Sequence, residues 1–596
     1  MRTLAKAFAV LATLCVFAGA HAEDWTTPVE RAQFRTTPSY ADTHAYLQRL
    51  AAAASQAIHL SRFGVSPEGR DLMLVVAASG GEFTPQAART SGKTILLVQS
   101  GIHAGEIEGK DAALMLLRDV SVKRKYPHLL DHVILVWLPI FNVDGHEHAS
   151  AYNRINQDGP SEMGFRATAQ NLNLNRDYMK ADAPEMRDWL ALFDAWQPDL
   201  FIDVHTTDGA DYQYDLTWYM EQWGPLHAAV QKWQTHAFER DILPAFEKKH
   251  HLAAPYLELV DHRDITQGIA NFGSGPRFST GYVALRNRAA LLVETHMLKP
   301  YAVRVKATYD FVLATLQRLA RDDGALRKAV MQADADTIAQ GKAGGGSLAV
   351  AFETSKQSVP FTLKGYAFSQ TPSDISGDTW VHYDPRQPKT YVVPDFRDLV
   401  PTKTVTLPAA YLVPAGWPGV ADKLREHGIA FTRVDHPLHL DVERYRLAAP
   451  RWKPASFEGR HLLDDFTQKS ENAAMDFAAG AIVVPLDQPL ANLAANLLEP
   501  QASDSLLHWG FLDAIFEQKE FPDARVAERL AREMLAKDPS LKTEFEAKLA
   551  DDGAFAKSPE ARLAFFYDRS PWHATQRIGE YPIVRLDAAA LRMAMP

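Results

Sequence analysis

Cysteine is almost absent, with one, Cys15, in 596 residues. No disulfide framework can hold such a chain, so its stability rests on buried apolar surface, which a chain of this length can supply. There is no block of lysine or arginine, and the formal net charge is -10. That balance argues against a nucleic-acid-binding protein, whose phosphate contacts need clustered cations. The 35 prolines and 33 glycines are scattered along the chain. With no repeat at a fixed period, collagen-like and low-complexity architectures are excluded. Beyond the N-terminus, no run reaches the ~18 apolar residues of a membrane-spanning helix. What is left is an ordinary globular composition, 46% hydrophobic and 23% charged, long enough for roughly two to four domains.

The first 22 residues read as an address. Arg2 and Lys6 form a basic start, Ala7–Ala20 an apolar run, and Ala20-His21-Ala22 a small-x-small cleavage pattern. This is the pattern of a Sec-type signal peptide. Leu14 precedes Cys15 where a lipoprotein signal needs a small residue, so lipidation is not expected. The expected product is a periplasmic or secreted protein with no cysteine and no membrane span.

After the address come two halves of different texture. In the first, residues 23–340, buried-strand patterns at 72–79, 93–100, 132–141, 199–205 and 289–296 alternate with helical ones such as 110–120 and 185–196. Strand-helix alternation predicts an α/β fold: a mixed, mostly parallel sheet with helices on both faces. Ligand sites in such folds form where loops leave the carboxyl ends of strands. A glycine-rich run at 341–347 reads as a linker. Beyond it, 348–406 suggests short antiparallel strands, and 407–596 reads as α/β, ending in amphipathic helices near 524–550. Residues 348–596 form a C-terminal accessory region without a motif of its own.

Three residues offer a metal site. His103 and Glu106 lie three apart in GIHAGEIEG, between a predicted strand and a predicted helix. That spacing puts an imidazole and a carboxylate on one side of a turn. His205 ends a second strand, where its carboxyl end meets the same crevice. Together they form a His₂Glu set that leaves an open position, the usual donor set of a catalytic Zn²⁺. H-x-x-E alone arises often by chance, and a lone His103 reads equally as a loop histidine. Glu108 is expected to point away from such a site. His146 and His148, two apart, cannot share a helix face and read as solvated or supporting residues. His296 is expected to pack. Taken alone, Arg166 reads as a surface arginine and Asn175-Arg176 as turn residues. Tyr212 and Tyr214 suit a pocket or a packed rim. Arg277 and Arg286 suit an anion site or pairing with aspartates.

Six segments in order turn these fragments into a pattern. They are VSPEGRDL from Val65, HAGE from His103, PIFNVDGHE from Pro139, FRATAQNLNLNRDY from Phe165, HTTDG from His205 and LLVETH from Leu291. The chain resembles the zinc metallocarboxypeptidase family of carboxypeptidase A and B, in the form of a large exported bacterial-type member with an accessory region. Val143 stands where the family's N-P-D-G element has proline. The resemblance implies one Zn²⁺ per chain held by His103, Glu106 and His205. It implies Glu294 as general base, Arg166 as the group that polarises the scissile carbonyl, and Asn175 with Arg176 as the grip on a terminal carboxylate. The implied partner is a peptide with a free C-terminal carboxylate; no motif specifies a partner chain. Many members carry a mobile tyrosine about twenty residues before the catalytic glutamate. Here Phe272 stands at that distance, and Tyr282, closer to Glu294, is the candidate substrate-binding tyrosine. An alternative is a related zinc deacylase or amidase acting on N-acyl amino acids or cell-wall peptides.

Overall fold

A computed structural model describes residues 24–595 except 208, 223–225, 272, 274 and 574–576. The signal segment with Cys15, and Phe272, lie outside the described residues. The first half is built on an eight-stranded sheet. Its strands run, in spatial order, Ile58–Val65, Asp71–Ala77, Val133–Leu138, Thr94–Ser100, Leu200–Thr207, Ala289–His296, Leu216–Tyr219 and Ala253–Pro255. The four central strands, from Val133–Leu138 to Ala289–His296, are parallel to one another; Asp71–Ala77 pairs antiparallel with both Ile58–Val65 and Val133–Leu138, Leu216–Tyr219 pairs antiparallel with Ala289–His296, and Ala253–Pro255 pairs parallel with Leu216–Tyr219. The central strands are buried along almost their whole length. That is why they read as unbroken apolar runs, since a strand covered on both faces has no solvent side to keep polar.

Alternate strand residues feed two cores. Val75, Leu96, Val98, Leu135 and Ile202 meet the helices Glu108–Val120 and Tyr301–Leu319. Val76, Leu97, Val136 and Phe201 meet the helix Pro184–Trp196. The second core continues without a break into the accessory half, through Leu348, Val350, Tyr411, Leu424, Leu497 and Tyr581 among others. The two halves therefore share one apolar interior.

The glycine-rich run is not a free tether. The helix Ala325–Ala343 enters it, and the next strand begins at Ser347. Gly341 is pressed so closely on the accessory half that a Cβ there would lie 1.7 Å from the carbonyl oxygen of Leu486. The accessory strands also exceed the short ones expected. Val359–Pro372 and Thr379–Phe396 form a hairpin of 14- and 18-residue strands. Asp395–Phe396 of this hairpin pair with Ile269–Ala270 of the first half, giving a four-stranded sheet that ends in Glu258–Leu259. The accessory half also holds a two-stranded antiparallel sheet of Ser347–Thr354 and Leu399–Thr406, a six-stranded antiparallel sheet with the helices Pro418–Glu426 and Ala491–Leu498, and a helical unit from Ala524 to Tyr567. No described helix is long and apolar enough to cross a membrane.

Candidate metal centre and substrate cleft

His103 and Glu106 sit in the turn between the strand Thr94–Ser100 and the helix Glu108–Val120, closed by a hydrogen bond from Glu106 N to His103 O of 2.9 Å. Two glycines let this turn fit. A Cβ on Gly109 would come within 2.4 Å of Ser100 Oγ, and one on Gly105 within 2.6 Å of Arg154 Cγ. His205 lies on the adjacent parallel strand, and Glu294 on the next, in register with it. Sheet pairing thus gathers residues far apart in sequence at the carboxyl ends of neighbouring strands.

One ligand atom from each of His103, Glu106 and His205 lies within 4.8 Å of the others. All three side chains are buried. Glu106 takes the centre, with Oε1 3.1 Å from His103 Nδ1 and Oε2 3.0 Å from His205 Nδ1. The outer nitrogens have other neighbours: His103 Nε2 is 3.1 Å from Asn173 Oδ1, and His205 Nε2 is 2.9 Å from Asp203 Oδ2. Asn173 Oδ1 can only accept, so it fixes the proton of the neutral His103 ring on Nε2. Nδ1 is then an inward-facing lone pair, and it makes no hydrogen bond despite complete burial. A buried orphan acceptor, a second imidazole and a carboxylate fit a zinc ion.

Burial and the surrounding carboxylates set the protonation of this cluster. Burial pushes His103 down to about 4, so the ring is neutral at physiological pH. Burial also opposes charge on Glu106, yet His103, His205 and Arg154 outweigh it and hold the carboxyl well below its ordinary value. Burial would likewise lower His205, but Asp203, Glu106 and Glu294 keep it well above. Glu294 is pushed up to about 8, first by burial, then by Glu106, Asp203 and Glu108, against the pull of His205. An added cation would relieve that crowding of carboxylates.

The cluster forms the floor of a cleft of about 350 Å³, walled by Arg154, Arg166, Asn175, Arg176, Thr207, Tyr256, Glu258, Phe278, Leu292 and Glu294 among others. Arg154 Nη2 donates to Glu106 Oε1 at 2.7 Å, and Arg166 Nη1 to the same atom at 3.3 Å. The loop bearing Arg166 rests on the segment 142–145: Phe165 N donates to Gly145 O at 2.7 Å, and Asn142 Nδ2 to Arg166 O at 3.3 Å. Arg176 lies against the face of Phe278, 4.4 Å from the ring centre, and donates to the carbonyl of Asn175 at 2.8 Å. It makes no ion pair among the described residues. Burial, with the charges of Arg166 and Arg277, lowers it to about 10. Glu458 pulls the other way, but no carboxylate among the described residues lies in ion-pair contact with it.

Seven of the eight expected residues line this cleft; Tyr282 does not. Its ring is fully buried in the core beneath the sheet, against Tyr178 and Trp189, and its hydroxyl meets His427 Nδ1 at 2.9 Å. Tyr282 belongs to the helix Ser279–Leu285, whose residues are all buried, so this tyrosine, which stands closer to Glu294 than the family spacing, is a packing residue. The tyrosine at the cleft is Tyr256, which follows the edge strand Ala253–Pro255. Sequence reasoning also missed Arg154, Glu258 and Phe278. Arg154 lies in an irregular loop, and its only signal is a close neighbour across Gly105.

The remaining candidates have packing roles. His296 stacks on Tyr212 at 4.0 Å. Tyr212 and Tyr214 pack against Leu363 and Tyr391 of the accessory hairpin. His146 is buried, with Nε2 3.0 Å from Lys110 Nζ, so it is not solvated, whereas His148 is exposed near Glu68. Glu108 accepts from Thr206 and Thr295, away from the ligand cluster. Arg277 pairs with Asp504 and Arg286 with Asp194.

Residues 43–218 match a family described as zinc carboxypeptidase. Carboxypeptidase 2 of Trichophyton rubrum is 23% identical over 485 residues, covering 78% of this chain and 82% of that protein. Its counterpart in Trichophyton tonsurans is 22% identical over 484 residues, with the same coverage. Among solved structures, a metallo-carboxypeptidase from Burkholderia cenocepacia aligns with a TM-score of 0.36 at 17% identity, covering 47% of this chain and 69% of that one. Carboxypeptidase A from Helicoverpa armigera aligns at 0.34 and 16% identity, over 50% and 75%.

Proposed function

We propose that this chain, a member of the zinc carboxypeptidase family through residues 43–218, removes residues from the free carboxyl end of peptides. One observation carries the reading beyond the family: Arg176, largely desolvated and in no ion pair among the described residues, opens into the same cleft as the His103–Glu106–His205 cluster and Glu294. A planar guanidinium in such a place is suited to a carboxylate, which it grips through two parallel hydrogen bonds. Asn175, in the same cleft wall, would complete that grip by donating from its side-chain Nδ2 to a carboxylate oxygen.

His103, Glu106 and His205 would hold the zinc. A bound zinc ion makes hydroxide available near neutral pH and polarises the carbonyl. Glu294 takes a proton from the attacking water as the water oxygen adds to the carbonyl carbon. It returns that proton to the amine nitrogen as the C–N bond breaks. Arg166, exposed enough to swing from Glu106 to a substrate, donates to the carbonyl oxygen as negative charge develops there. Arg176 and Asn175 orient the chain end so that its last peptide bond meets these groups. The N-terminal address assigns this activity to a periplasmic or secreted protein.

The test is product profiling by mass spectrometry on the zinc-loaded protein, with matched peptides ending in a free carboxylate or an amide. Single-residue shortening of the free-carboxylate set alone is expected. Arg176→Gln should lower kcat/KM by about 10- to 100-fold, as expected for a lost charged hydrogen bond. Equal cleavage of the amidated peptides, or turnover of N-acyl amino acids alone, would overturn the reading.

A further inference from the structure

One loop of the accessory half reaches the backbone beside the metal cluster. The loop between the strands Leu438–Trp452 and Leu463–Phe477 contains a closed turn, Phe457 to Arg460, with Phe457 N donating to Arg460 O at 2.8 Å and Arg460 N to Phe457 O at 3.1 Å. Its two corner residues are left-handed, Glu458 at φ 51° and Gly459 at φ 78°. Glycine adopts that conformation freely, but glutamate does so at a cost. Such strain persists only where the surroundings hold it.

The surroundings here are specific. Arg460 forms a two-pronged ion pair with Asp182 of the first half, at 2.6 and 2.7 Å, and lies 3.7 Å over the ring of Phe511. Phe457 stacks on Trp509 with 21° between the rings. The turn is thereby clamped to the catalytic half, with Glu458 at its corner. Glu458 Oε2 accepts a hydrogen bond from the backbone N–H of Asn173 at 2.9 Å.

Asn173 is the hub of the site's far wall. Its Oδ1 faces His103 Nε2 at 3.1 Å and accepts from Asn175 N at 3.0 Å, while its carbonyl accepts from Arg176 N at 3.0 Å. One residue thus sets the rotation of a metal-ligating ring and the start of the carboxylate grip. It is held from outside by a single accessory carboxylate.

We propose that Glu458 is a positioning residue through which the accessory half fixes Asn173, and with it both the His103 ring and the Asn175–Arg176 grip. The second arm of this inference rests on the exopeptidase reading above; the first, on zinc, does not. Residues that orient a metal-bound histidine typically change metal affinity by about 10- to 100-fold when removed.

The discriminating variant is Glu458→Gly. It deletes the carboxylate while relieving the left-handed strain, so the melting temperature should hold or rise. Zinc affinity, measured by chelator competition without substrate, should weaken about 10-fold. KM for a free-carboxylate peptide should rise more than kcat falls. Glu458→Gln keeps an acceptor oxygen and should restore zinc affinity to within about threefold. Wild-type zinc affinity and KM in Glu458→Gly would overturn the proposal. So would an equal loss in Glu458→Gln, or losses in both variants that merely track a fall in melting temperature. If no peptide is cleaved at all, the exopeptidase reading fails while the zinc titration still decides the role of Glu458.

Discussion

Tyr282 separates chemistry from packing at the scale of a single residue. Its hydroxyl meets His427 Nδ1 at 2.9 Å and receives a hydrogen bond from Arg286 Nη1 at 3.2 Å, deep in the core. Tyr282→Phe removes that oxygen and leaves the histidine and arginine short of partners where water cannot reach. The expected cost is about 1–3 kcal/mol of stability, measured by urea unfolding. kcat/KM on peptides should stay within about twofold, because no atom of Tyr282 reaches the cleft. A larger kinetic loss would return the tyrosine to the substrate. The same residue marks how far the sequence could be read. His103, Glu106 and His205 were legible because each stands at or just beyond the end of a strongly apolar strand, where topology brings it to the crevice, whereas Glu294 was legible only through the family resemblance. Tyr256, Arg154 and Glu458 were not. Their places depend on loops whose paths are set by contacts with distant parts of the chain, and residue spacing carries no record of those contacts.

Elements add a constraint that composition conceals. Glycine clusters usually mark flexible joints, and the run from Gly341 to Gly346 invites that reading. Yet Gly341 is buried in the last turns of the helix Ala325–Ala343, against the backbone of Leu486. There the missing side chain serves close approach. In most helices, exchanging glycine for alanine is stabilising. At Gly341 the new methyl would sit 1.7 Å from a carbonyl oxygen held on both sides by secondary structure. Gly341→Ala is therefore expected to cost about 3 kcal/mol or more, because overpacking against backbone cannot be relieved by a rotamer change. Thermal unfolding would show it, and an unchanged or raised melting temperature would mean that the helix and the Leu486 loop are free to part. The central strands were legible for the opposite reason. Burial on both faces leaves an unbroken apolar signature, whereas the long accessory hairpins carry mixed, half-exposed patterns that read as short pieces.

The whole molecule behaves as a two-part body with one interior, and pH tests that unity. His427 lies in the accessory half, fully buried against the first. Its Nε2 is 3.0 Å from the carbonyl of Met179, which must accept, so Nε2 carries the proton and Nδ1 takes one from Tyr282. Burial, helped by Lys423 and Arg286 and opposed by the Met179 carbonyl, pushes the ring down to about 3. The unfolded chain binds a proton near the ordinary histidine value of ~6.5, and the folded one does not until far lower. Stability from this group is therefore complete above pH ~6.5 and drains away as pH falls towards 3, by up to ~1.4 kcal/mol per unit. His103, His146 and His508 are depressed in the same direction, so only a difference measurement isolates His427. His427→Gln offers a similar donor and acceptor without the titration. The unfolding free energy of wild type minus variant should shrink by about 2–3 kcal/mol between pH 6.5 and 4.5. Both proteins should unfold in a single transition at neutral pH, because neither half can expose its share of the common core alone. A pH-independent difference would show that His427 is not held neutral at the junction, and two separate transitions would show that the halves are independent.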